Sequence, residues 1–347
     1  MQWAVPFVPT SQSHTFMLNV FLTVDTEIWP FADNWPRQPL PEKKQDFTAE
    51  FAAYILGRTN EGDFGLPFQI RVLNENGLEA NYFTEALAAD RLGHVMLSDV
   101  VSMIQPARHD VQLHIHTEWL GDVNQPSLPG RFMQHVRHFS EDEQTSIIAR
   151  GIENLVAAGA PRPNAMRAGN YGASLATLRA ARRCSLSFDT SHNTCYLDSS
   201  CDMPLDSPAL QPLQIEGIWE FPVSYFQDYP GHYRHAQLCA CSFQELAQAL
   251  TDASRAGWYA FVIVLHSFEL VKIDKARSGS LVPDKFNVRR FLQLCQFLSE
   301  NRKKFRTRLF SELSEETIPV ANVTRHLSSR PQHTALRFAQ QALSRIS

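Results

Sequence analysis

Short apolar runs of strand length alternate along this chain with amphipathic stretches of helical period, and that alternation restricts the fold more than any other feature. Leu18–Val24 (LNVFLTV) is β-branched and aromatic and ends in polar residues. Further strands are expected at Glu79–Phe83, Asp110–His116, Ala165–Ala168, Leu186–Asp189, Trp219–Val223 and Tyr259–Leu265. Helical stretches separate them: Phe64–Glu75, stopped by Gly77, then Leu97–Ile104, Ser174–Arg183, Phe243–Ala256 and Val288–Glu300. Ser140, followed by Asp142 and Glu143, opens a capped helix running to about Ala158. Strands joined through helices build a parallel sheet or barrel, so the expected class is α/β.

The 347 residues are 44% hydrophobic and 20% charged, enough for a barrel core without disulfide staples. Six cysteines occur without a CxxC pair, which argues against a zinc knuckle and for a reducing, cytoplasmic setting. Met1–Phe16 carries no Lys or Arg before its apolar run, unlike a secretory signal. The longest apolar runs are too short to span a bilayer, so no membrane is expected. With 32 basic against 36 acidic residues and no basic stripe, nucleic acid is excluded as a partner. Thr190–Gln214 reads as a long loop. The expected division is a barrel over 1–318 and a polar tail over 319–347 whose amphipathic Leu336–Ile346 docks on it. Oligomeric state is not legible.

In a β/α barrel, catalytic groups sit at the C-terminal ends of strands. Four strand ends here finish in ionisable residues: Asp25-Thr26-Glu27, His114-Ile115-His116, Arg167 and His266. In DVQLHIH, Val111, Leu113 and Ile115 share one face while Gln112, His114 and His116 share the other. Two imidazoles at i and i+2 can face one ion, and a nearby carboxylate completes a two-His-one-carboxylate set with positions left open. Of Asp25 and Glu27, one can bind metal while the other accepts a proton from an attacking water. Arg167 could fix and ionise that base. His266 could protonate the leaving atom.

These segments together resemble the polysaccharide deacetylase superfamily (NodB homology, carbohydrate esterase family four). The residues carrying the likeness are FLTVDTEIW (Phe21–Trp29), NYFTEAL (Asn81–Leu87), DVQLHIHTEWL (Asp110–Leu120), MRAGNYGAS (Met166–Ser174), FDTS (Phe188–Ser191), WEFPVS (Trp219–Ser224) and VLHSFEL (Val264–Leu270), in the family's order. They span roughly residues 18–310. The resemblance implies an irregular, TIM-like (β/α)7 barrel with a divalent metal site, usually zinc, that removes acyl groups from sugars by attack of a metal-bound water. Asp25 falls on the base and Arg167 on the arginine that orients it. Where the family's metal-binding acid follows directly, this chain has Thr26, which makes Glu27 the candidate ligand beside His114. The family's histidines stand at i and i+4. Here His116, or alternatively Glu118, takes the second place. His266 falls on the catalytic acid, and Asp189 and Glu220 are both candidates for the acid that tunes it. Tyr171, with Asn170 before it, falls near the oxyanion pocket. Trp29 and Trp119 follow site segments and are candidates for stacking on sugar rings.

The leading expectation is a metal-dependent hydrolase acting on an N-acetyl group of a carbohydrate or amino-sugar substrate. Two alternatives stand beside it: a non-catalytic glycan-binding or assembly protein on the same barrel, and a hydrolase of imide or ureide C–N bonds.

Overall fold

The computed structural model describes residues 17–42, 44–123, 125–274, 280–320, 323 and 325–346. The expectation drawn from Met1–Phe16 lies outside the described residues. Seven parallel strands form the body of one curled, nine-stranded sheet: β1 (Leu18–Thr26), β2 (Asn81–Glu85), β3 (Asp110–Ile115), β4 (Ala165–Ala168), β5 (Phe188–Asp189), β6 (Ile218–Glu220) and β7 (Ala260–His266), with Leu213–Ile215 added antiparallel to β6 and Phe305–Thr307 parallel to β1. β1 lies between β7 and β2, and the rest follow in chain order. The helices that cover the sheet are α1 (Leu66–Glu75), α2 (His94–Ile104), α3 (Glu141–Ala157), α4 (Leu175–Arg183), α5 (Phe243–Arg255) and α6 (Lys285–Glu300). The expected α/β barrel is the observed fold.

Strand periodicity sorts the core into two layers. Along β1, Val20, Leu22 and Val24 belong to the large cluster between sheet and helices, while Phe21 belongs to a second cluster inside the sheet's curl. Phe310 plugs that interior, its ring 5.0 Å from Phe21, 5.2 Å from Phe221 and 5.8 Å from both Phe83 and Phe188. A filled barrel floor leaves the opposite rim for chemistry.

Between β6 and β7 the ring closes through irregular backbone. Val264 donates its N–H to the Ala236 carbonyl at 2.9 Å, and Leu238 donates to the Val264 carbonyl at 3.1 Å. Gln237 therefore sits beside β7 in parallel register although it belongs to no strand.

Helix ends follow their local chemistry. Ser140 and Glu143 form a reciprocal capping box at the start of α3, as their spacing predicts. α1 begins at Leu66 rather than Phe64 because Gly65 packs its backbone against the preceding turn. A Cβ there would lie 2.2 Å from the Ile55 carbonyl oxygen. β2 runs two residues beyond Phe83, to Glu85.

Two features lay outside the sequence reading, a hairpin and the buried charges beneath the terminal helix, whose docking itself was expected. Tyr225–Tyr229 and His232–His235 form an antiparallel hairpin. The terminal helix α7 (Pro331–Ile346) packs against α5 and that hairpin, and its Arg337 is fully buried. Arg337 donates to Asp228 at 2.6 Å and to Glu245 at 3.2 Å, so a charged triad welds the segment to the wall. Among the described residues no helix is long and apolar enough to cross a membrane.

Candidate metal and acid–base centre

Strand register gathers the ionisable strand ends into one rung. Asp25 pairs with His266 of β7, Glu85 of β2 pairs with His114, and His114 pairs with Arg167. Glu27 leaves the end of β1 and folds over the two histidines. Its Oε1 lies 3.1 Å from Nε2 of His114 and 3.1 Å from Nε2 of His116. Its Oε2 accepts the Trp29 indole N–H at 2.8 Å. Glu27, His114 and His116 are all buried, and one ligand atom from each lies within 4.8 Å of the others.

The hydrogen bonds show what this cluster accepts. Nδ1 of His114 lies 2.9 Å from the Arg167 carbonyl oxygen, which can only accept, so Nδ1 carries the hydrogen. The Nε2 lone pair then faces a carboxylate oxygen. Two electron-rich atoms at that distance need a proton or a cation between them. Burial tends to raise the Glu27 carboxyl, but the charge of His116 beside it holds it well below the usual range. Burial tends to lower the His116 imidazole, yet Glu27 and Glu118 push it well above its ordinary value. The field favours positive charge, and two imidazole nitrogens with one carboxylate oxygen fit a divalent ion such as zinc.

Glu118 is not part of that trio. Its Oε2 meets the far side of the His116 ring, 3.4 Å from Nδ1, while Asn170 donates to its Oε1 at 2.8 Å. It orients the histidine from behind. The ring also depends on Gly169, where a Cβ would lie 2.6 Å from His116 Nδ1.

Asp25 stands beside the trio, engaged by Arg167 at 2.6 Å from Nη1 to Oδ1. Arg167 is fully buried, and its Nε donates to the Thr190 carbonyl while Nη2 donates to the Thr23 and Thr190 hydroxyls. Nε2 of His266 lies 4.0 Å from Asp25 Oδ2.

The rim opens into a cleft of about 670 Å³ lined in part by Asp25, Trp29, Asn170, Tyr171 and His266. Asn170 and Tyr171 take left-handed φ values of 55° and 56°, which turns both residues toward the cleft directly after β4. Trp119 does not reach it. Fully buried, it packs on Trp35 with ring centroids 4.9 Å apart, so the expected stacking platform is a wall residue. The turn Thr117–Asp122 carries its ring inward, whereas Trp29 stays at the surface of the cleft.

Neither acid expected beside His266 is there. Asp189 and Glu220 face each other across β5 and β6, bonded to Ser191 and to the His192 N–H. Burial raises both carboxyls, Glu220 the more strongly beside Asp189. Gln237 occupies the place next to His266, its Nε2 3.2 Å from Nδ1. Glu85 was also missed. Its carboxylate accepts the His116 N–H at 2.6 Å and the Leu87 N–H at 2.7 Å, and burial pushes it up to about 7 against the pull of His116 and His114. Its place at the end of NYFTE was the available signal.

An α/β barrel with a His/His/carboxylate trio and a separate arginine-held aspartate at one rim defines the architecture. No family model and no curated protein sequence matches the chain. Among solved structures, one assigned to the polysaccharide deacetylases of Mycobacterium smegmatis aligns with a TM-score of 0.52 and 18% identity, covering 94% of this chain and 99% of that one. A family 4 carbohydrate esterase from Streptomyces lividans in complex with acetate aligns at 0.42 and 12% identity, covering 90% and 98%. A CE4 family pseudoenzyme from Bacillus anthracis aligns at 0.41 and 10%, covering 91% and 71%. The first of these likenesses shows that the fold is the polysaccharide-deacetylase barrel.

Proposed function

We propose that this chain is a metal-dependent hydrolase that removes an acyl group, N-acetyl above all, from a carbohydrate or amino-sugar substrate. One observation carries the reading: two imidazole Nε2 atoms and a carboxylate oxygen converge beside a separate Asp25–Arg167 pair, with Asp25, Glu27 and His116 on the wall of one cleft. We infer that Glu27, His114 and His116 hold the ion, with zinc matching the donor set. When bound, a divalent ion polarises an acyl oxygen and acidifies water.

The chain's own groups do the rest. Asp25, held by Arg167, accepts the proton of the attacking water. His266 faces the cleft across from Asp25 and serves the leaving atom as donor. Asn170 and Tyr171 shape the acyl pocket, and Trp29 offers an aromatic face to a sugar ring. The substrate class rests on the barrel's likeness and on this cleft. We further propose that residues 1–318 form the catalytic barrel and that the protein works in the cytoplasm, a reading supported by six unpaired cysteines.

The test is acetate release from N-acetylated chito-oligosaccharides by zinc-loaded protein, with and without chelator. Zinc-dependent release supports the reading. Absence of release from oligomers and from monomeric N-acetyl amino sugars, with zinc bound, overturns it.

A further inference from the structure

The hydrogen bonds around Gln237 bear on what His266 contributes, an inference that rests on the hydrolytic reading above. Gln237 lies on the irregular segment that closes the barrel, in register with Val264, and its side chain reaches the His266 ring. Three neighbours fix its amide. Nε2 lies 3.2 Å from Oε1 of Glu269, a carboxylate that also accepts the Cys239 N–H at 3.0 Å. Oε1 lies 2.7 Å from Nε2 of His235. Turning the amide over would set its oxygen against the Glu269 carboxylate, two acceptors with no hydrogen between them. Glu269 thus holds the NH₂ group in place, and the second amide hydrogen points at Nδ1 of His266.

A ring nitrogen that receives an N–H carries no hydrogen of its own. The single imidazole hydrogen of His266 then lies on Nε2, facing the cleft and Asp25. An acidic partner at Nδ1 would do the reverse, drawing a hydrogen to that nitrogen.

We propose that Gln237 is a positioning residue that fixes His266 as its Nε2–H tautomer. His266 then serves as a hydrogen-bond donor, and Asp25 alone carries the travelling proton. In that sequence a proton of the attacking water passes to Asp25 as the new O–C bond forms and the carbonyl π pair moves onto its oxygen. That pair then re-forms the carbonyl as the C–N bond breaks with its electrons going to nitrogen, and Asp25 returns the proton to the leaving amine. His266 begins and ends with one hydrogen, its Nε2–H stabilising the atom that gains electron density.

The test is nitrogen NMR of zinc-loaded, ¹⁵N-histidine-labelled protein at neutral pH, with the His266 ring assigned by its loss in His266→Asn. The expected spectrum has an unprotonated Nδ1 and a protonated Nε2. In Gln237→Glu a hydrogen should appear on Nδ1, and in Gln237→Leu the two tautomers should mix. A wild-type ring protonated at Nδ1, or a ring unchanged by either substitution, overturns the proposal. Activity gives a second arm on N-acetylated chito-oligosaccharide. His266→Gln, which donates a hydrogen bond but cannot release a proton, should stay within about tenfold of wild type, whereas His266→Ala should lose about a hundredfold. Equal losses overturn the donor role. If wild type cleaves nothing, the hydrolytic reading fails while the tautomer is still decided by the spectrum.

Discussion

Arg167 and Asp25 form a buried pair in which the guanidinium takes Oδ1 at 2.6 Å and leaves Oδ2 turned toward His266. The pair lies outside the His/His/Glu trio. Loss of proton transfer and loss of metal should therefore separate. Asp25→Asn should cost about a hundredfold or more in rate while zinc content by atomic absorption stays at the wild-type level. Equal loss of zinc in that variant would make Asp25 a ligand.

Replacing a member of the trio should do the opposite. On the proposed metal site zinc should raise the melting temperature of the wild-type protein, and His114→Ala and Glu27→Gln should each abolish that rise. A rise that persists in both would place the ion elsewhere.

Gly169→Ala tests the support behind His116. The new Cβ would stand 2.6 Å from Nδ1 and 2.7 Å from Cγ of that ring, so the imidazole must shift. Zinc affinity, measured by calorimetric titration, should weaken by about 10–100-fold, the range for disturbed supporting groups. The fold should persist, since neither glycine geometry nor a helix interior is involved.

The barrel ends are legible in the sequence to different degrees. Asp25, Glu27, His114, His116, Arg167 and His266 could be read because each closes a run of strand-like residues, and parallel register then sets such ends side by side. Ser140 and Glu143 announced their helix by spacing alone. Gln237 could not be read. It lies on no regular element, and its partners Glu269 and His266 are about thirty residues away in the chain. Trp119 was misplaced because a short 3-10 helix after β3 changes the side-chain direction that a continued strand would give. Nothing in the sequence marked Arg337 as buried, since its counterions lie far off in the chain, Asp228 on a hairpin of weak alternation and Glu245 on α5.

That same arginine supplies a stability prediction. Asp228 and Glu245 are buried beside it, and Arg337→Met would leave carboxylates without their inner counterion. A loss of about 3–5 kcal/mol in denaturant unfolding is expected, the usual cost of breaking a buried pair from one side.

His109 sets an acid limit. Its Nδ1 accepts the Ala80 N–H at 3.2 Å, and burial pushes the ring down to about 4. The folded value lies below the unfolded one of about 6.5. Its contribution is therefore complete above that value and is lost as pH falls through it toward 4. Unfolding free energies at pH 7 and pH 4.5 should differ more in wild type than in His109→Gln. An identical difference in the two proteins would remove His109 from the acid sensitivity.

Trp29 touches both sides of the site, its N–H on Glu27 Oε2 and its ring on the cleft. A sugar seated on that ring would restrain one oxygen of the carboxylate whose other oxygen, Oε1, faces the two imidazoles. On the proposed function, saccharide and cation would be linked ligands: whatever factor one imposed on the other's affinity would be returned in full. Titrations at saturating and at trace zinc would trace the two halves of a single thermodynamic cycle, joined through one indole hydrogen.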